Sequence, residues 1–195
     1  MKIQLNRSSN TLLAPLIPRE VFAQLITHLD SLPAHIKRMV VLLILSGIPV
    51  NKLCSLTFDS LIRDDYGIWF LRFDNLKRQI KHTIPLSPVA VAMIQEQQQS
   101  LNQDQHGVTD LLFLNAKGQA ISPKTFMAQL NRLAIKKDIR DATGQVWRFQ
   151  AHQFRFTFVA QMIKDKVSFD VITHLLDHKE PKTTLRYYLS PQYWV

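Results

Sequence analysis

A chain of 195 residues with 46% apolar side chains can build one substantial hydrophobic core, so its composition excludes an intrinsically disordered protein. Its formal charge of +9 fits attraction to polyanions, nucleic acid among them. The lone cysteine, Cys54, excludes an intramolecular disulfide and a thiolate metal pair and points to a reducing, cytoplasmic compartment; the longest apolar run, Met39 to Val50, is too short for a bilayer span.

The N-terminus lacks the basic, apolar and small-residue order of a signal peptide. Residues 1–17 are polar or irregular and lead into Pro18. From Arg19 to Leu32 apolar residues recur at helical spacing, with Val21, Phe22, Leu25, Ile26 and Leu29 on one stripe, which predicts a first helix. Pro33 breaks it, and Ile36 to Leu45 predicts a strongly apolar second helix at the centre of the core. Gly47 and Pro49 stop and restart the chain into a third helix through Leu56. The pattern then turns β-like in Ile68–Phe73 and Lys81–Leu86, with Asp74-Asn75 as the turn signal and Lys77 in or beside the connection. Ser87-Pro88 opens a helix through Gln99, and Asn102 to Asp110 reads as a loop. Ser122 as cap and Pro123 at the first helical position start a helix to about Asp138. Two more helices are expected at 151–165 and 168–177. With no internal repeat or low-complexity linker, the fold class is α+β: mainly α with a small antiparallel β-sheet, forming one domain over 18–195 behind a short extension, 1–17.

The last third carries Ala151-His-Gln-Phe-Arg155, Leu175-Leu-Asp-His178 and Thr183-Thr-Leu-Arg-Tyr-Tyr188. These supply two histidines, an arginine and a tyrosine, a set suited to phosphodiester chemistry without a metal. A tyrosine attacking a phosphate needs cationic donors nearby, because the transition state concentrates negative charge on the non-bridging oxygens. Arg155 offers a planar fork matched to two such oxygens, and His152 lies one helical turn before it, so both can project from one face. The other five histidines, His28, His35 and His106 among them, show no ligand spacing, and neither a metal nor a cofactor is expected.

This ordered set resembles the tyrosine recombinases, or phage integrases, whose catalytic domains carry a His-x-x-Arg and then a Leu-x-His followed nine residues later by Tyr. Here these read His152 to Arg155, and Leu176, Asp177, His178 to Tyr187. Upstream, Lys77 followed by His82-Thr-Ile-Pro-Leu86 is similar to the family's β-hairpin lysine and its Arg-x-Val-Pro-Leu strand. The resemblance implies the fold of a tyrosine recombinase catalytic domain. It further implies that Tyr187 attacks the scissile phosphate to form a 3′-phosphotyrosyl link, with Tyr188 a rival one position away. By the same resemblance Arg155 binds phosphate charge, and His152 and His178 donate hydrogen bonds or move a proton. Lys77 protonates the leaving 5′-oxygen, with Arg78 and Lys81 as rivals.

One departure bears directly on activity. The family usually opens its catalytic domain with Thr-Gly-Leu-Arg-x-x-Glu-Leu, and the matching stretch here is Ser46-Gly-Ile-Pro-Val-Asn-Lys-Leu53. Pro49 occupies the place of the first clamp arginine and has neither a charge nor a backbone N–H to offer a phosphate. Lys52, in the place of the usual glutamate and one turn away, is the candidate compensating cation, a point charge without a bidentate fork. The first 17 residues are too few for the helical DNA-clamping domain that usually comes first, and seven residues after Tyr188 leave little for a C-terminal docking helix.

Two functions follow from the resemblance. One is site-specific recombination or integration for a mobile genetic element, with cleavage impaired by Pro49. The other is a catalytically inactive, recombinase-like DNA-binding or accessory protein. Both make double-stranded DNA the partner, bound alone, as a homo-oligomer or with a partner recombinase, and neither involves a membrane or a small-molecule substrate.

Overall fold

The computed structural model describes residues 16–75, 80–104, 110–177 and 180–188. Eight α-helices lie among them: α1 (Arg19–Thr27), α2 (Ala34–Ser46), α3 (Val50–Leu53), α4 (Pro88–Asp104), α5 (Pro123–Lys136), α6 (Ala151–Lys164), α7 (Phe169–Leu175) and α8 (Pro181–Tyr188). The strands β1 (Leu61–Arg63), β2 (Trp69–Asn75) and β3 (Ile80–Pro85) form one antiparallel sheet in sequence order.

Helix α2 organises the core. Ile36, Met39, Val40, Leu42 and Leu43 are all buried, because the helix packs on both α4 and α6 and presents apolar residues to each. It ends at Gly47, whose φ of +60° turns the chain and whose N–H reaches the Leu43 carbonyl at 3.1 Å. Ile48 and Pro49 then lead into α3, where the Pro49 carbonyl accepts from the N–H groups of Lys52 and Leu53. Proline with φ −60° fits this junction without strain.

The sheet has two unlike faces. Leu71, Phe73, His82 and Ile84 share one, and Leu71 and Ile84 are buried in the core; Arg72, Asp74 and Lys81 share the other. A second apolar cluster of Val159, Ile163, Ile172, Leu176 and Tyr187 joins α6, α7 and α8.

The sequence-based expectations need correcting at their edges. Helix α1 ends at Thr27 and a 3₁₀ turn at Leu29–Ser31 replaces its predicted last turn; α3 stops at Leu53 rather than Leu56. Asp74 and Asn75 are not the hairpin turn: they pair with Lys81 and Ile80, because the ladder continues past the aromatic run. Strand β1 went unpredicted, being only three residues long and existing through its pairing with β2. Helix α4 runs to Asp104, past the expected end at Gln99. The cap of α5 is as expected, with the Ser122 hydroxyl accepting from the Thr125 N–H at 3.1 Å.

Candidate active site

Helix α6 sets the site. Its first turn is fixed by a reciprocal capping box in which the Gln150 side chain accepts from the N3 N–H and the Gln153 side chain accepts from the Gln150 N–H at 3.0 Å. That start places His152 and Arg155 one turn apart. Arg155 points inward and is the hub: Nη1 donates to the Gly47 carbonyl at 2.9 Å, and Nη2 donates to the Leu176 carbonyl. Two carbonyls from the α2–α3 junction and the turn after α7 therefore orient one guanidinium. Burial pushes the Arg155 pKa down, while Tyr187 and Asp177 beside it act in the opposite direction.

Tyr187 meets Arg155 directly. Its hydroxyl lies beside the guanidinium, close enough to feel the arginine charge and to face its N–H donors. The ring is 5% exposed and stands edge-on to Phe156 at 5.3 Å. Burial raises the Tyr187 pKa above its ordinary value, and the Arg155 charge partly offsets that rise. Tyr188 turns elsewhere: its hydroxyl donates to the Val167 carbonyl at 3.4 Å and its ring lies 5.4 Å from Phe169. The rivalry between the two tyrosines thus acquires a geometric difference, since the guanidinium contact belongs to Tyr187.

His152 is exposed, with its ring 5.6 Å from Phe156, the ring that also packs against Tyr187. His178 and Lys77 lie outside the described residues. Pro49 and Lys52 line a cavity of about 320 Å³ together with Phe73, Ile84, Arg155 and Asp177. Lys52 donates its ammonium to the Asp74 carbonyl, spanning from α3 to the sheet at the edge of that cavity. No group of three or more His, Cys, Asp or Glu side chains among the described residues could hold a metal ion. No helix among them is long and apolar enough to cross a membrane.

Two features escaped the sequence reading. Gly47 stops a helix by its sequence pattern, but its carbonyl also holds Arg155, and a Cβ there would come within 2.3 Å of the Phe158 ring. His82 and Asp177 form the other: the His82 Nδ1 lies 3.9 Å from the Asp177 Oδ1 across strand β3 and the turn after α7. Only the positions of His82 in the hairpin and Asp177 within Leu-x-His hinted at them.

Residues 16–193 match the profile of the phage integrase family. The chain belongs to that family, the tyrosine recombinases. Transposase B from transposon Tn554 of Staphylococcus aureus is 30% identical over 167 residues, which cover 86% of this chain and 26% of that protein. Tyrosine recombinase XerC of Anoxybacillus flavithermus is 26% identical over 149 residues, 76% of this chain and 48% of that protein. Among solved structures, the XerH site-specific recombinase bound to palindromic difH substrate in a post-cleavage complex superposes with a TM-score of 0.74 at 17% identity, over 93% of this chain and 51% of that one. The chain thus spans about a quarter of the Tn554 transposase and about half of XerC and XerH. As in the expected fold class, a tyrosine recombinase catalytic domain is mainly helical here with one three-stranded antiparallel sheet.

Proposed function

We propose that this chain is the DNA-cleaving domain of a site-specific recombinase of a mobile element, with residues 18–195 as the catalytic domain and its activity reduced by Pro49. The observation that carries this reading is the burial of Tyr187 beside the Arg155 guanidinium. A nucleophile beside the guanidinium is next to the place where a phosphate would be held. A guanidinium has five N–H donors, so the contacts to Gly47, Leu176 and Tyr187 do not exhaust it.

In this reaction the Tyr187 oxygen attacks phosphorus, its proton passes to a histidine base, His152 or His178, and the bond to the 5′-oxygen breaks. The leaving oxygen takes a proton from Lys77, and the 3′-phosphotyrosyl bond conserves the energy needed for a second strand to reverse the step. Arg155 stabilises the charge that builds on the non-bridging oxygens. Lys52, on the rim shared with Pro49 and Arg155, adds a point charge where the second fork is missing. Losing one such donor costs on the order of 10²–10³ in rate, and losing an arginine finger about 10³–10⁵. The substrate is double-stranded DNA, and exchange between two duplexes calls for a homo-oligomer or a partner recombinase on that DNA.

Pro49 also favours a second reading, a DNA-binding accessory protein that does not cut. Nicked suicide duplexes covering the DNA that flanks the gene separate the two. A covalent adduct lost in Tyr187→Phe and kept in Tyr188→Phe marks the recombinase; tight, salt-sensitive binding with no adduct marks the accessory protein.

A further inference from the structure

Asp177 holds a backbone conformation that its side chain must justify. Its φ of +51° lies in the left-handed region, where glycine is free of strain and asparagine is well tolerated. A carboxylate stands there instead, largely buried, with the Asp177 side chain 13% and the His82 side chain 7% exposed. Burying a carboxylate is costly unless cations or donors compensate it. Arg155 is close enough for the opposite charges to attract, and the His82 Nδ1 lies 3.9 Å away. The residue before it, Leu176, gives its carbonyl to the same guanidinium. One turn therefore addresses Arg155 through two consecutive residues and reaches strand β3 through His82.

The His82 ring is equally committed. It stands edge-on to Phe73 at 5.3 Å and 5.7 Å from the His174 ring, and it faces the Leu175 backbone. Its Nε2 is buried with no hydrogen-bond partner among the described residues. Among the described residues, the charged and titratable groups facing it are Asp177, His174 and Arg155.

We propose that Asp177 is a positioning residue for DNA cleavage: its carboxylate, set against His82, ties to strand β3 the turn after α7 whose Leu176 carbonyl holds the Arg155 guanidinium. The proposal rests on the reading of Arg155 and Tyr187 as phosphate-binding and nucleophilic groups. With proline at position 49, one guanidinium must supply the fork alone, and its orientation then decides whether two phosphate oxygens can be met at once.

Asp177→Asn and Asp177→Gly provide the test, because both side chains accept the left-handed backbone while removing the charge. A carboxylate that serves only the turn predicts unchanged titration, unchanged cleavage and a Tm equal to or above that of the parent chain. The proposal predicts two changes. In NMR titrations of the free 195-residue chain, with the His82 resonance assigned from His82→Gln, His82 ionises at a lower pH in both variants than in the parent. With nicked suicide duplexes from the flanking DNA, the rate of adduct formation falls on the order of 10²-fold while the Kd for the duplex stays the same. An unmoved His82 titration overturns the coupling, and parent-like adduct rates overturn the positioning role. A parent chain that forms no adduct overturns the recombinase reading instead, and the titration still decides whether Asp177 and His82 are coupled.

Discussion

Two adjacent tyrosines differ by what they touch, and that difference is testable side chain by side chain. Tyr187 lies beside Arg155 and its pKa is raised by burial. A group whose folded-state pKa exceeds its unfolded value adds stability that is fully present below the unfolded pKa and is lost as pH rises through the folded one. Urea melts between about pH 9 and about pH 11 should therefore show a shallower loss of stability in Tyr187→Phe than in the parent chain; part of the loss remains because burial raises Tyr188 as well. Equal slopes contradict the buried placement of Tyr187. His82 has the opposite sign. Burial depresses its pKa despite Asp177, so its contribution is present above the unfolded value and is lost as pH falls through the folded one. His82→Asn should lessen the acid-side loss below about pH 6.5, with His35, also depressed by burial, retaining a share. At Pro49 the backbone has φ −60° and ψ 137°, open to any L-residue. Pro49→Arg should thus fold normally and speed adduct formation by about 10²–10³ if the missing donor limits the reaction, and an unchanged rate assigns the limit elsewhere.

The junction between α2 and α3 decides whether Arg155 is held at all. Gly47 combines φ +60° with a carbonyl bonded to Arg155, and an added methyl would meet the Phe158 ring at 2.3 Å. Gly47→Ala should destabilise the fold by about 2–4 kcal/mol, from the left-handed backbone and the overpacking together, measurable by chemical denaturation. A change under about 0.5 kcal/mol means that the junction relaxes freely. Elements of this kind were unevenly legible in the sequence. Helices α2 and α5 announce themselves, one by its apolar run and the other by Ser122-Pro123. Strand β1 and the last residues of β2 do not, because cross-strand pairing, rather than local propensity, creates them. The site divides in the same way. Arg155 and Tyr187 are readable from motif spacing, whereas the carbonyls of Gly47 and Leu176 that hold Arg155 are backbone groups with no residue signature. Asp177 and His82 lie 95 positions apart, and only the folded turn brings them together.

For the molecule as a whole, the proposed function joined to a charge of +9 predicts that binding to DNA depends on ionic strength. The observed log K should fall linearly with log salt, with a slope of about −0.9 for each phosphate neutralised, and Lys52→Ala should reduce it by about 1 if that ammonium reaches the backbone. A slope unchanged in Lys52→Ala leaves the lysine as a tie between α3 and Asp74. Binding, however, would serve a recombinase and an accessory protein equally. The decisive measurement is the covalent adduct on a nicked suicide duplex, mapped by mass spectrometry. A DNA-linked peptide modified at Tyr187, absent in Tyr187→Phe and in Arg155→Ala and present in Tyr188→Phe, is the predicted result. A modification on Tyr188, or no adduct from either the parent chain or Pro49→Arg, would contradict it.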